Sequence, residues 1–235
     1  MKNDKNKLTE GLVPDNDISE KSKFSEKSER AFKIFNNSIK RAENLLNIDL
    51  TDCDEKLLIS ESKKLDCYRA VIVLSISALD AYIKTFLIVE IKNKLEKRDL
   101  SSELKQYIKE ELFTKETLYQ CVLEKDFYDK VISKLDDDFE KKSFQGQKSI
   151  DKYMKLGGFD QVFRMISKSA NISSDNLQSD IEKYTNRRHL IVHCGDHDLN
   201  QTELTEKDIT EKEASDCINL VKLIAGEIHK LSKGK

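Results

Sequence analysis

The sequence predicts an all-α protein, an up-and-down helical bundle with extra helices. Pro14 is the only proline, so about 220 consecutive residues lack the one residue that breaks helices from within. Only 7 glycines punctuate the 235 residues. No run of alternating, turn-bounded β-branched residues suggests a sheet, whereas leucine, isoleucine, lysine and glutamate recur at helical spacing.

The opening stretch "MKNDKNKLTEGLVPDNDISEKSK" is polar and has no apolar core of the kind a signal peptide carries, so residues 1–22 read as a flexible tail and 23–235 as a single helical domain. A first helix is expected from about Phe24 to Leu46. A long one follows from about Glu55 to Lys97, with Lys64 a candidate interruption. Its segment "AVIVLSISALDAYIKTFLIVEI" is long enough to cross a bilayer, yet Asp80 and Lys84 fall near its middle. Each would cost roughly 2.5 to 3.5 kcal/mol there, so the segment reads as the central helix of a bundle and not as a membrane span. The i, i+4 spacing of Asp80 and Lys84 lets them pair.

Shorter helices are expected at about Ser102 to Leu112 and Thr117 to Leu135. The stretch "DDDFEKKSFQGQKSIDKYMKLGG", residues 136–158, is polar, glycine-containing and poorly periodic; it reads as a mobile connection that could serve as a lid or substrate rim. Beyond it come a helix from about Phe159 to Ser169, one from about Asn176 to His193, and a last one from about Glu206 to Leu231. Ser173, Ser174 and Asp175 offer N-cap chemistry to the second of these, Gly195 a C-terminal stop, and Thr205 a cap for the last.

Charged residues make up 36% of the chain but nearly cancel, to −2, so any nucleic-acid contact must come from a local patch. The 5 cysteines, at 53, 67, 121, 194 and 217, form no CxxC pair, and their odd number argues against a disulfide framework. A reducing cytoplasm is the compartment this implies.

Three of the 4 histidines lie in "YTNRRHLIVHCGDHD". On a helical wheel at about 100° per residue, Leu177, Ile181, Tyr184, Arg188 and Ile191 fall within roughly 80° of one another. Arg188 therefore stands where the pattern asks for an apolar side chain, and a guanidinium there needs a reason. One reason is an internal carboxylate, with Asp80 the candidate. The other is a cleft that receives an anion.

His193 lies about 140° around the helix from Arg188 and about 7.5 Å further along, so one helix makes an awkward site. His189 and His193 share a second face, and a two-fold dimer covering it would gather two arginines and at least two histidines. Arginine binds phosphate bidentately and stays charged. Imidazoles can take a proton from a ribose 2′-hydroxyl and return one to the leaving 5′-oxygen. Such a site would cleave RNA without a metal or any other cofactor, and not DNA, which lacks the nucleophile. A zinc reading of His189, His193, Cys194 and His197 is weaker, because Gly195 and Asp196 end the helix before His197 and a nearby arginine repels the cation. Arg187 reads as a solvated or RNA-contacting charge, with Asn186 beside it as a second RNA-binding residue.

"RRHLIVH" resembles the Arg-x4-6-His signature of HEPN domains, with four residues between Arg188 and His193 and five from Arg187. "AVIVLSISALDAYI" is similar to a helix of the RiboL-PSP-HEPN branch, with Asp80 at a position where an acidic residue is common. The resemblance covers the order of features from about Leu65 to Leu231, around a divergent middle. It implies a helical, usually dimeric, metal-independent endoribonuclease of a toxin or antiviral defence system, with single-stranded RNA as substrate and an antitoxin or defence protein as a further partner. Arg188 would hold phosphate, His193 would do acid–base chemistry, His189 would fill the polar position after the arginine, and Asp80 would orient the arginine or histidine. It equally implies a second class, a non-catalytic helical binding module.

Overall fold

The computed structural model describes residues 16–48, 61–124, 126–197 and 205–233, and among these it is all-helical, with one isolated antiparallel bridge between His197 and Glu206. Helix α1 spans Asn16–Leu46 and α2 spans Glu61–Glu96. Of the expected tail, residues 1–15 lie outside the described residues, and 16–22 instead belong to α1. Residues 55–60 of the second expected helix also lie outside them. Lys64 interrupts nothing, since α2 runs continuously through it.

Helix α2 is apolar around most of its circumference, and a helix of that kind must be enclosed. Val71, Ile72, Ile76, Leu79, Ile83, Phe86, Leu87 and Ile91 are all sealed from solvent. It is the one helix among the described residues long and apolar enough to cross a bilayer, but 56% of its most apolar window is buried inside the protein. Three amphipathic helices supply the cover: α1, α8 (Ser174–Cys194) and α9 (Glu211–Lys233). The stripe of α1 is Ala31, Phe35, Ile39 and Ala42, and that of α9 is Ala214, Cys217, Ile218, Val221, Ile224, Ala225 and Ile228. Both keep the three- and four-residue spacing that one buried face requires. An aromatic chain from Phe32 and Phe35 through Tyr82 and Phe86 to Phe159, with neighbouring ring centroids 5.4 to 5.8 Å apart, fills the space between helices.

Short helices between α2 and α8 close the other end. Helix α3 (Ser102–Tyr107) is capped by Ser101, whose Oγ accepts from the Leu104 N–H at 3.1 Å, and it runs into a π-helical turn over Ile108–Leu112. The single helix expected over Thr117 to Leu135 is two helices, α4 (Lys115–Glu124) and α5 (Phe127–Glu140). No proline or glycine marks that break, which is why periodicity alone runs through it.

The expected mobile connection over 136–158 is helical and buried. Helix α5 continues to Glu140, and α6 (Gln147–Met154) and a 3-10 turn (Lys155–Gly157) follow. Phe139, Phe144, Ile150, Tyr153, Met154 and Leu156 all enter the core. Charge clusters between these residues mask an i, i+3, i+4 triplet, Ile150, Tyr153 and Met154, that marks a packed helix face. Asp80 anchors the stretch: one carboxylate oxygen accepts from the Phe144 N–H at 2.6 Å, and the other pairs with Lys84 at 3.1 Å. Helix α7 (Val162–Ala170) leads into α8.

Helix α9 starts later than expected, and its cap is Thr210, not Thr205. The Glu213 N–H donates to Thr210 Oγ1 at 3.2 Å, and the Thr210 N–H donates to Glu213 Oε2 at 3.1 Å. This reciprocal pair is a capping box, and its threonine–glutamate spacing is visible in "TEKE".

Because Asp80 bonds a main-chain N–H that has no other hydrogen bond drawn to it, Asp80→Ala should lower stability by about 1–3 kcal/mol in urea unfolding. A loss below about 0.5 kcal/mol would show that Phe144 needs no such anchor. His229 provides a pH test. It is buried, its ring stacks on Phe32 with centroids 4.2 Å apart, and burial, outweighing the attraction of Glu29, lowers its pKa from the ordinary 6.5. Its stabilising contribution is therefore complete above 6.5 and is lost as pH falls from there through the lower folded-state value. Replacing it by Gln should flatten that part of the stability–pH curve.

Candidate functional site

Helix α8 is fixed at both ends by its own sequence. At its start the Asn176 N–H donates to Ser173 Oγ at 3.3 Å. At its end Gly195 and Asp196 adopt left-handed φ of 57° and 65°, and both N–H groups converge on the carbonyl of Leu190. Glycine takes that conformation without steric cost and aspartate tolerates it better than most residues. The expected cap and stop are both where the sequence puts them.

Leu177, Ile181 and Tyr184 are buried, and Arg188 and Ile191 continue the same stripe half-buried. Arg188 has no hydrogen bond or ion pair to a carboxylate among the described residues, and its Nε is buried without a partner. Asp80, the expected carboxylate, is occupied by Lys84 and Phe144. His189 and His193 are exposed on the second face with ring centroids 4.5 Å apart, and Asn186 is exposed on that face as well. Val192, 46% exposed, lies between the arginine and histidine faces. On a single chain the structure thus brings the two histidines together and leaves Arg188 on another side of the helix.

Arg187 is not a solvated charge. Its Nη2 donates to Asp196 Oδ2 at 2.7 Å and to the carbonyls of Lys207 and Asp208 at 3.0 and 2.9 Å. The reason is Asp196, whose side chain is 0% exposed and which must be neutralised where it sits. A second guanidinium, Arg69 of α2, meets the same Oδ2 through its Nε at 2.7 Å. Its Nη2 reaches the Lys207 carbonyl at 3.1 Å and Glu206 at 3.0 Å, and its Nη1 reaches Asp66 at 3.1 Å. Burial works against the charge of Arg69, but Asp196, Glu206 and Asp66 outweigh it and hold its pKa above the ordinary value. Arg69 and Asp196 were not apparent as site residues from the sequence. The available signal was an arginine opening the most apolar run of the chain, since such a charge has to find a buried partner.

Among the described residues no group of three or more histidine, cysteine or acidic side chains could hold a metal. His197, the outermost member of the expected zinc set, is off the helix and bridged to Glu206. What α8 offers is an unpaired guanidinium able to receive an anion and two adjacent imidazoles able to exchange protons.

A family model described as RiboL-PSP-HEPN matches residues 36–233, from within α1 to the end of α9. No curated protein and no solved structure gives a significant match.

Removing Asp196 would leave two guanidiniums without their shared counter-ion. Asp196→Ala should cost about 3–5 kcal/mol in urea unfolding, the range for breaking one side of a buried ion pair. A loss under about 1 kcal/mol would show that the end of α8 is held by other means.

Proposed function

The chain belongs to the RiboL-PSP-HEPN family, a HEPN-type domain, and on that premise we propose that it is a metal-independent endoribonuclease acting on single-stranded RNA at a site shared by two copies of the chain. The observation that carries this reading is Arg188. It continues the core-facing stripe of α8, half-buried and with its Nε unsatisfied, in a position where stability alone favours leucine or methionine. A phosphodiester is the ligand that would repay that cost, since it accepts bidentate hydrogen bonds and carries the opposite charge.

Arg188 and His193 diverge on one helix, so a two-fold pairing of α8 helices is what would set a guanidinium of one copy near an imidazole of the other. Exposed Val192 offers an apolar contact for that pairing. One imidazole takes the proton of the 2′-hydroxyl as its oxygen bonds to phosphorus. The bond from phosphorus to the 5′-oxygen then breaks, and a second imidazole donates a proton to the leaving oxygen. Arg188 stabilises the added negative charge on the phosphoryl oxygens in between. The products are a 2′,3′-cyclic phosphate and a 5′-hydroxyl. His189, 4.5 Å from His193 between ring centroids, is placed to hold or relay the proton. The cellular setting that fits is a cytoplasmic toxin or antiviral effector restrained by a protein partner.

The rival reading is a binding module that does not cut. It is favoured by the divergence of Arg188 and His193 within one chain.

Purified protein should cut single-stranded RNA in the presence of EDTA and leave cyclic phosphate ends. Arg188→Leu and His193→Ala should each lower the rate by about 100-fold or more. Arg188→Leu should keep or raise the melting temperature, since it removes a charge that nothing in the chain repays. Cleavage at the parent rate by both variants would remove the assignment of the site.

A further inference from the structure

Beside the histidine face, α8 encloses a cleft of about 450 Å³ with Ile72 of α2, Lys207 and Glu213 of α9. Its lining is apolar at depth and polar at the mouth. Ile72 and Tyr184 are buried, and Leu190 stands half-buried beside them. Lys183 is exposed, with its ammonium 4.9 Å from the centroid of the Tyr184 ring. The single carboxylate of the lining, Glu213, is already an acceptor for the Thr210 N–H in the cap of α9. The one guanidinium, Arg187, is neutralised by Asp196. Two ammonium groups, those of Lys183 and Lys207, therefore dominate the rim of a cleft in a chain whose overall charge is −2.

Apolar depth, a cationic rim and one exposed amide call for a ligand with a flat apolar body, an anionic group and a hydrogen-bonding edge. A nucleotide has all three, and the volume is of the size that takes one small ligand unit and not a duplex. Asn186 lies within roughly 60° of both His189 and His193 on the helix and about 10 Å along it from His193, so the mouth opens onto the histidine face.

We propose that this cleft is a nucleotide subsite for the RNA strand, with the base against Ile72, Tyr184 and Leu190, its edge read by the Asn186 amide, and its phosphate held between Lys183 and Lys207. The proposal rests on the reading of the histidine face as an RNA-cleaving site, from which it takes the identity of the strand. It adds what that reading lacks, a place where base identity can be sensed next to the cut.

The test uses a labelled 2′-O-methyl RNA decamer, which has no free 2′-hydroxyl and cannot be cut, so binding is read apart from chemistry. Lys183→Ala, Asn186→Ala and Lys207→Ala should each weaken its binding by about tenfold, with folding checked by melting temperature. The two lysine variants should also reduce the dependence of affinity on salt, whereas Asn186→Ala should relax base preference at one position of the cleaved RNA. Parent-level affinity in all three variants overturns the subsite, even if the RNA is cut and Arg188→Leu abolishes cleavage. If the parent cuts nothing but the three variants lose decamer binding, the subsite stands and the nuclease reading falls. If the four nucleoside 5′-monophosphates bind as tightly as the decamer, the occupant is a free nucleotide and the assignment to an RNA strand is overturned.

Discussion

A carboxylate with no access to water, Asp196, sits between two arginines from different helices, and the placement of everything on α8 depends on it. Both Arg69 and Arg187 donate to a single oxygen of Asp196, each at 2.7 Å. Since Arg69 belongs to the central helix, this ties the C-terminal end of α8 to the most buried element of the fold. An ion pair of this kind contributes little net stability against a hydrophobic substitute of equal size, because desolvation offsets the attraction. Its effect is directional: two planar guanidiniums and a carboxylate meet in few orientations, so the end of the helix, with its histidines, is held at a defined angle.

The same helix carries a second arginine under the opposite condition. Arg187 is satisfied by a carboxylate and two carbonyls, whereas Arg188, one residue on, is half-buried and has no such partner among the described residues. A turn of about 100° separates a guanidinium used up by the fold from one the fold leaves available. The two have equal charge and similar burial. They differ in which elements pack over them.

This distinction explains how far the sequence could be read. The helical class, the central α2, the stripe through Leu177, Ile181 and Tyr184, the Ser173 cap and the Gly195 stop all follow from local periodicity and local turn chemistry, so they were legible. The Asp80–Lys84 pair was legible for the same reason. The roles of Arg187, Arg69 and Asp196 depend on contacts across 127 positions of the chain, which no spacing rule encodes. Residues 136–158 misled in a different way. Their charges suggested a solvated connection, while six apolar side chains spread among them went into the core. Average polarity was a poor guide where the position of each apolar residue decided the outcome.

The clasp grips residues 207 and 208 by their main-chain oxygens, not by their side chains. Side-chain drift at these two positions therefore leaves the grip intact, and related lineages can retune charge at the mouth of the neighbouring cleft without loosening the helix end. Deleting a residue between Glu206 and Thr210 is another matter: it would draw both oxygens out of register with the guanidiniums. Tolerance for substitution and intolerance of length change should thus coexist in one short segment.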